Sequence, residues 1–341
     1  MISNLDPIVA IYYNANMLTP DEWKKESNPN LYLGLAFFIF GFPFQLLFIP
    51  ALWAITKPQF QKMCTYKILL ALAIVDCLES VIAVEFQSYL TIVGSNFGMN
   101  PKLIYYGGMF SMGGWNCSCA LNVLLCFSRI IDIYKPKIAD FLFDGYKTLI
   151  WIFLCFVYFF MGSFFSRPGL YTSQIYSWVF NPFFQIDEIN SQKYAEFYQN
   201  KLHIFNNVIV FILLVPMNII LLKLLFIQTS KMSNQDANIL KLKRNMIFQS
   251  TVICGITTLV SFMYLILDKV PVPILFSVAA NFLWQANHLN LPFVLCFMNL
   301  SVRKCIKAQL FGCAVVNKVT IVPGTLTNPP KTSIHHAKRL Y

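Results

Sequence analysis

Two carboxylates, Asp76 and Glu79, stand three residues apart inside the apolar run Leu72-Ala73-Ile74-Val75-Asp76-Cys77-Leu78-Glu79. At that spacing they share one face of a helix. A charge at mid-bilayer costs roughly 2.5–3.5 kcal/mol even on a lenient insertion scale, so the face is expected to turn into a bundle. Asp76 then reads either as a polar switch or ion site in the bundle core, or as a protonated acid bonded to a neighbour. Glu79 and the more distant Glu85 either line a cavity or sit protonated. Another apolar run closes Leu124-Leu125-Cys126-Phe127-Ser128-Arg129-Ile130-Ile131-Asp132. Arg129 falls where that helix leaves the membrane, as a snorkelling anchor or as part of a switch, with Asp132 one turn on as the nearby acid.

Other polar residues gather late in the chain. One apolar run carries Asn281, Trp284, Gln285, Asn287 and His288, followed by Asn290-Leu291-Pro292. Amides inside a span are costly unless they meet partners or water, and Pro292 predicts a kink. His203 with Asn206 and Asn207 forms a polar rim at the end of an earlier run, suited to headgroups and loop backbone as well as to a ligand. Catalytic chemistry has no comparable support. There is no Gly-rich phosphate loop, no HExxH and no cysteine pair at metal-site spacing, and His203 and His288 lack a third ligand. The expectation is a chain that is not an enzyme and uses neither cofactor nor metal.

The elements that hold these residues follow from composition. Of the 341 residues, 57% are hydrophobic and 12% charged, against about 25% charged in a soluble chain. A bilayer span needs about 20 mostly apolar residues. Seven stretches qualify, at about 31–56, 66–92, 104–131, 148–166, 203–227, 247–267 and 274–298. The last two are divided by Asp268-Lys269-Val270-Pro271-Val272-Pro273. The predicted class is an all-α membrane protein, a seven-transmembrane helix bundle. Residues 1–30 show no positive n-region or apolar h-region, so the first run is expected to act as an uncleaved anchor behind an extracellular segment.

Charge sets the expected orientation. Lys57, Lys62 and Lys67 share one side with Arg129, Lys135, Lys137 and Lys147. Lys223, Lys231, Lys241, Lys243 and Arg244 join them, as do seven Lys and Arg after Met298, so that side holds 19 of the 26. The positive-inside rule puts it in the cytoplasm, with the N-terminus outside and the C-terminus inside. The net charge of +11 thus reads as an orientation signal and not as a nucleic-acid footprint. No cysteine lies in the loop from Arg167 to Leu202, so no extracellular disulfide is expected there. After the seventh stretch, Val302, Ile306 and Leu310 take one helix face and Arg303, Lys304 and Lys307 another. That pattern predicts a short amphipathic helix over 299–313 on an anionic inner leaflet, with Cys305 and Cys313 as candidate lipidation sites and a flexible cytoplasmic tail over 314–341.

Seven spans, an outer N-terminus, an arginine at the inner end of the third and a basic eighth helix together describe a G-protein-coupled receptor. A narrower resemblance rests on Thr65-Tyr66-Lys67-Ile68 with Asp76, on Asn100-Pro101-Lys102-Leu103-Ile104-Tyr105-Tyr106 and on Ser128-Arg129 with Asp132. Gln249, Tyr264 and the long string Trp284-Gln285, His288, Pro292 and Asn299-Leu300-Ser301-Val302-Arg303 complete it. Along nearly all of Tyr12 to Arg303 the chain resembles the nematode serpentine receptor class T (Srt) family of chemosensory receptors. Two departures stand out. The family's paired outer cysteines correspond to Ala15 and Gly98 here, and the family's Asn before the arginine is Ser128.

The resemblance implies a plasma-membrane receptor of sensory-neuron cilia that binds a small molecule in an outer cavity and signals to a heterotrimeric G protein. By that likeness Arg129, Asp132, Asp76, Asn299 and Arg303 are the switch and coupling residues, assisted by the basic loop Ser230 to Asn245. Tyr105, Tyr106, Met109, His203, Asn206, Tyr264, Trp284, Gln285 and His288 are the ligand candidates. A seven-helix transporter or channel, and a receptor without G-protein coupling, are the rival classes. A transporter would usually show matched halves, and no internal repeat is visible.

Overall fold

The computed structural model of the chain describes residues 13–186, 195–230, 237–267 and 273–310. Cys313, the tail beyond it and residues 231–236 of the basic loop lie outside the described residues.

Each apolar run becomes a long helix, and prolines, glycines and polar caps decide where it breaks. The first helix, Leu31–Gln45, starts behind Asn30, whose side-chain oxygen accepts from the Leu33 N–H. Pro43 supplies no N–H inside it, and the helix turns at Leu46-Leu47 before resuming as Phe48–Ile55. The second helix runs Cys64–Val81, loosens into a π turn over Ile82–Phe86, and continues as Gln87–Val93 to the left-handed Gly94. Any side chain at Gly94 would also strike the Pro29 nitrogen at 2.4 Å. The third is Pro101–Tyr134, the fourth Lys147–Phe165, the fifth Lys201–Ser230 and the sixth Ala237–Leu267. The seventh, Ile274–Phe293, passes through a second π turn over Val294–Met298, just after Pro292, and bends by 73° into Leu300–Leu310.

By length and composition five of these helices can cross a membrane, and a sixth if the bent seventh is taken with its continuation. The polarity pattern suits lipid. Ile39, Ile49, Phe153, Phe205 and Phe226 are exposed, whereas Asp76, Glu79, Asn116, Asn122, Asn287 and His288 are buried. That inverts a soluble protein's arrangement. The third helix is the central post, touching the second, fourth, fifth and sixth. Its contact with the fourth is close because both sides are small. A Cβ on Gly113 would stand 2.0 Å from Ser163 Oγ, and one on Gly162 2.5 Å from Asn116 Nδ2.

Between the fourth and fifth helices lies an antiparallel hairpin, β1 (Leu170–Thr172) and β2 (Ser177–Val179), with Tyr171 opposite Trp178. It lies so close to the third helix that a Cβ on Gly108 would reach the Gly169 carbonyl oxygen at 1.6 Å. Near its tip Tyr176 adopts φ +54°, uncommon for a bulky residue. Two amides hold it there, because its carbonyl accepts from Gln87 and Asn281, each at 2.9 Å.

The N-terminal segment docks at this same end. Thr19 and Glu22 form a capping box on the short helix Pro20–Lys25, which presents the buried Trp23. Its indole donates to the Ala15 carbonyl at 2.8 Å, its ring covers Gly98, and it stacks on Phe183. Where the family likeness expects a disulfide, a tryptophan therefore joins the two positions, and the nine described cysteines are free. Trp23→Ala should cost about 3–5 kcal/mol, as deletion of a buried aromatic side chain typically does. The check is a lowered unfolding temperature of the purified chain in detergent. Trp23→Phe, which loses only the indole donor and some ring area, should fall between the variant and the parent.

Candidate functional site

At the hairpin end, the third, fifth, sixth and seventh helices and the hairpin surround a cavity of about 770 Å³. Trp115 comes from the third helix, His203 from the fifth, Tyr264 from the sixth, Asn281 and Trp284 from the seventh, and Trp178 from β2. The aromatic rings brace one another. Trp178 meets Trp284 edge-on at 6.3 Å and Trp115 meets Tyr264 at 5.5 Å. The indoles from the third helix and the hairpin both have acceptors. Trp115 Nε1 donates to Asn207 Oδ1 at 2.9 Å, and Trp178 Nε1 to Gln87 Oε1 at 2.6 Å. The Asn207 amide nitrogen lies 2.9 Å from His203 Nε2.

Below the cavity the polar residues form a column through the bundle. The rings of Trp115 and Trp284 stand edge-on to His288, at 6.3 and 6.0 Å. His288 Nδ1 lies 2.8 Å from Asp76 Oδ1, which also accepts from Ser118 Oγ at 3.0 Å. This is the only carboxyl–base contact within 4 Å among the described residues, and with Ser118 it joins the second, third and seventh helices. Asn122 continues the column by donating to the Ser118 carbonyl. Cys254 of the sixth helix approaches the Asn122 carbonyl at 3.4 Å, and Thr257 donates to Asn287 Oδ1 at 2.8 Å. Glu79 is fully buried beside the column, against the Gly114 backbone.

At the opposite end a second polar cluster closes the sixth helix onto the seventh. The π turn and the bend that follows leave the Met298 carbonyl facing the sixth helix, where Asn245 and Gln249 donate to it at 2.8 and 3.0 Å. Asn299 caps the next helix by accepting from the Val302 N–H, and its amide donates to Gln249 Oε1 and to Tyr66 Oη, each at 3.0 Å. Arg129 is buried nearby, with Tyr66, Cys64 and Asp132 as its electrostatic neighbours. Among the described residues no carboxylate lies within 4 Å of its guanidinium, and its Nε has no partner.

Of the nine ligand candidates, the cavity wall takes His203, Tyr264 and Trp284. Tyr105 belongs to an aromatic cluster with Tyr13, Tyr106 is exposed and Met109 is half-buried off the wall. Asn206 accepts from Tyr158 on the fourth helix. Gln285 donates to the Ala83 carbonyl, which the π turn of the second helix releases, and His288 turns to Asp76. Of the coupling candidates, Arg129 and Asn299 meet around Tyr66, Asp132 is half-buried one turn on, and Asp76 lies higher in the column. Arg303 reaches the Phe297 carbonyl. Cys305 is half-buried on the bent helix.

Trp115 and Trp178 are the cavity residues that pattern reading passes over. The signal for Trp178 is present in the pair of short Tyr-Thr and Trp-Val segments around a turn. A family model described as serpentine type 7TM GPCR chemoreceptor Srt matches residues 2–319. No curated protein matches the chain.

His288→Phe should leave Asp76 buried with Ser118 alone, a broken buried pair that costs about 3–5 kcal/mol. Adding Asp76→Asn should return much of that loss, because no unpaired charge then remains. Thermal unfolding of the two single variants and the double variant measures the coupling; simple additivity would contradict it.

Proposed function

The chain belongs to the Srt family of serpentine chemoreceptors, and on that premise we propose that it is a sensory G-protein-coupled receptor of the ciliary plasma membrane. The hairpin end faces outside and the Arg129 end faces the cytoplasm. The excess of Lys and Arg in the loops at the Arg129 end supports this orientation. A small molecule enters the cavity beneath the hairpin. Its contacts with Trp115, Trp284 and Tyr264 favour one packing of the helices over another, a population shift. The observation that carries the reading is the column from the cavity tryptophans through His288 and Asp76 towards the Tyr66–Asn299–Gln249 cluster.

In the described state Asn245, Gln249 and Asn299 tie the sixth helix to the seventh. This arrangement suits a resting receptor. Outward movement of the inner end of the sixth helix breaks those bonds and uncovers Arg129 for the G protein. The basic loop after the fifth helix and the cationic face of Leu300–Leu310 then meet the acidic lipid surface and the partner. Cys305, half-buried on that helix, is the proposed attachment point of an acyl chain.

Two variants test the arrangement in cells carrying a promiscuous G protein. Arg129→Ala should abolish ligand-dependent signalling at unchanged surface level; a full response would remove Arg129 from the switch. Asn299→Ala removes the tie to Gln249 and Tyr66, worth about 1–1.5 kcal/mol. Ligand-independent signalling should rise by roughly tenfold. Basal output equal to that of the parent would rule out the cluster as a latch.

A further inference from the structure

The hydrogen-bond network around His203 fixes where its proton sits. An indole N–H only donates, so the Asn207 atom facing Trp115 Nε1 is its oxygen. The Asn206 amide, 3.4 Å from that same oxygen, agrees with the assignment. The Asn207 atom 2.9 Å from His203 Nε2 is therefore the amide nitrogen, a donor, and Nε2 must hold a lone pair. In a neutral imidazole the proton then resides on Nδ1. A doubly protonated ring would set N–H against N–H, and turning the Asn207 amide would cost the Trp115 bond.

His203 is 5% exposed and forms part of the cavity wall. Among the described wall residues its Nδ1 is the one buried side-chain polar atom without a partner. The rings of Phe180 and Tyr264 flank the imidazole at 5.3 and 5.4 Å. Among its described side chains the wall thus holds a single unsatisfied buried N–H donor, flanked by aromatic rings. A buried donor without a partner is a costly state that a bound acceptor relieves.

We infer that the cavity selects an uncharged, largely apolar carbonyl compound whose oxygen accepts the His203 Nδ1–H. The inference rests on the cavity being the receptor's ligand site. Other classes fit less well. Among the described wall residues there is no Lys or Arg to offer a carboxylate a countercharge, and the one acidic residue among them, Glu196, is exposed. An alcohol can accept from His203 but brings a hydroxyl proton, and among the described wall side chains no buried acceptor is left unsatisfied to receive it.

The test uses the purified full-length chain in lipid nanodiscs and five molecules on one skeleton: benzophenone, benzhydrol, benzhydrylamine, diphenylacetate and diphenylmethane. Equilibrium binding should rank benzophenone first, roughly tenfold tighter than diphenylmethane, as one hydrogen bond supplies. In His203→Phe that advantage should vanish while diphenylmethane binding is retained, which also shows that the variant is folded. His203→Gln, which keeps an N–H donor, should restore part of it. Tighter binding of the alcohol, the acid or the amine, or a ketone advantage that survives His203→Phe, would overturn the carbonyl assignment alone. Failure of all five to bind the parent chain would instead overturn the cavity as ligand site, and the inference with it.

Discussion

An acid inside an apolar bundle constrains what is near it, because its burial is costly unless another helix delivers a partner to the same depth. Asp76 meets this requirement with His288 and Ser118. Three helices are thereby fixed in rotation and height at one point. The remaining polar groups can be arranged only around it. Trp115 and Trp284 rest their edges on the same imidazole, so a change in the cavity walls changes the surroundings of the pair. A hydrocarbon core without this pair would pack, but its two ends would have no shared element.

Each end of the bundle keeps a buried nitrogen without a partner, Arg129 Nε at one and His203 Nδ1 at the other. At the Arg129 end, Asn299, Gln249, Tyr66 and Asn245 use one another and the Met298 carbonyl. At the hairpin end the wall keeps an unpaired donor on His203. Two of the inter-helix contacts depend on local breaks in helical bonding. The π turn over Ile82–Phe86 releases the Ala83 carbonyl to Gln285, and the one over Val294–Met298 precedes the bend that exposes Met298. Backbone irregularity at membrane depth is tolerable only where protein groups re-satisfy what it frees. Here side-chain amides from neighbouring helices do so.

The seven-helix character was legible because lipid leaves a strong mark on composition, and the family because the string from Trp284 to Arg303 has unusual residue types at long spacing. The acid at 76 announced a buried site, but nothing local could name a partner 212 residues away. His288 read as a ligand contact because its polarity is visible in sequence and its direction is not. The hairpin hid for another reason. Three-residue strands carry little periodicity, and Trp178 enters the cavity only through the tertiary hold of Gln87 and Asn281 on Tyr176. Trp23 was equally silent, since its role depends on Gly98 offering no side chain in the way.

Arg129 has its end of the third helix almost to itself. Asp132, one turn away, forms no ion pair with it among the described residues, and the residue before it is Ser128, whose hydroxyl donates to the Leu125 carbonyl. The guanidinium is held by burial and by proximity to Tyr66, not by an acid lock. Tyr66 is also the residue that Asn299 holds. On the proposed reading, the cluster that ties down the sixth helix and the surroundings that bury the arginine therefore share one phenol. Releasing Asn299 loosens Tyr66, and loosening Tyr66 frees the space over Arg129. On that proposal a receptor built this way needs no acid beside its arginine, because freeing the sixth helix and uncovering Arg129 are the same event.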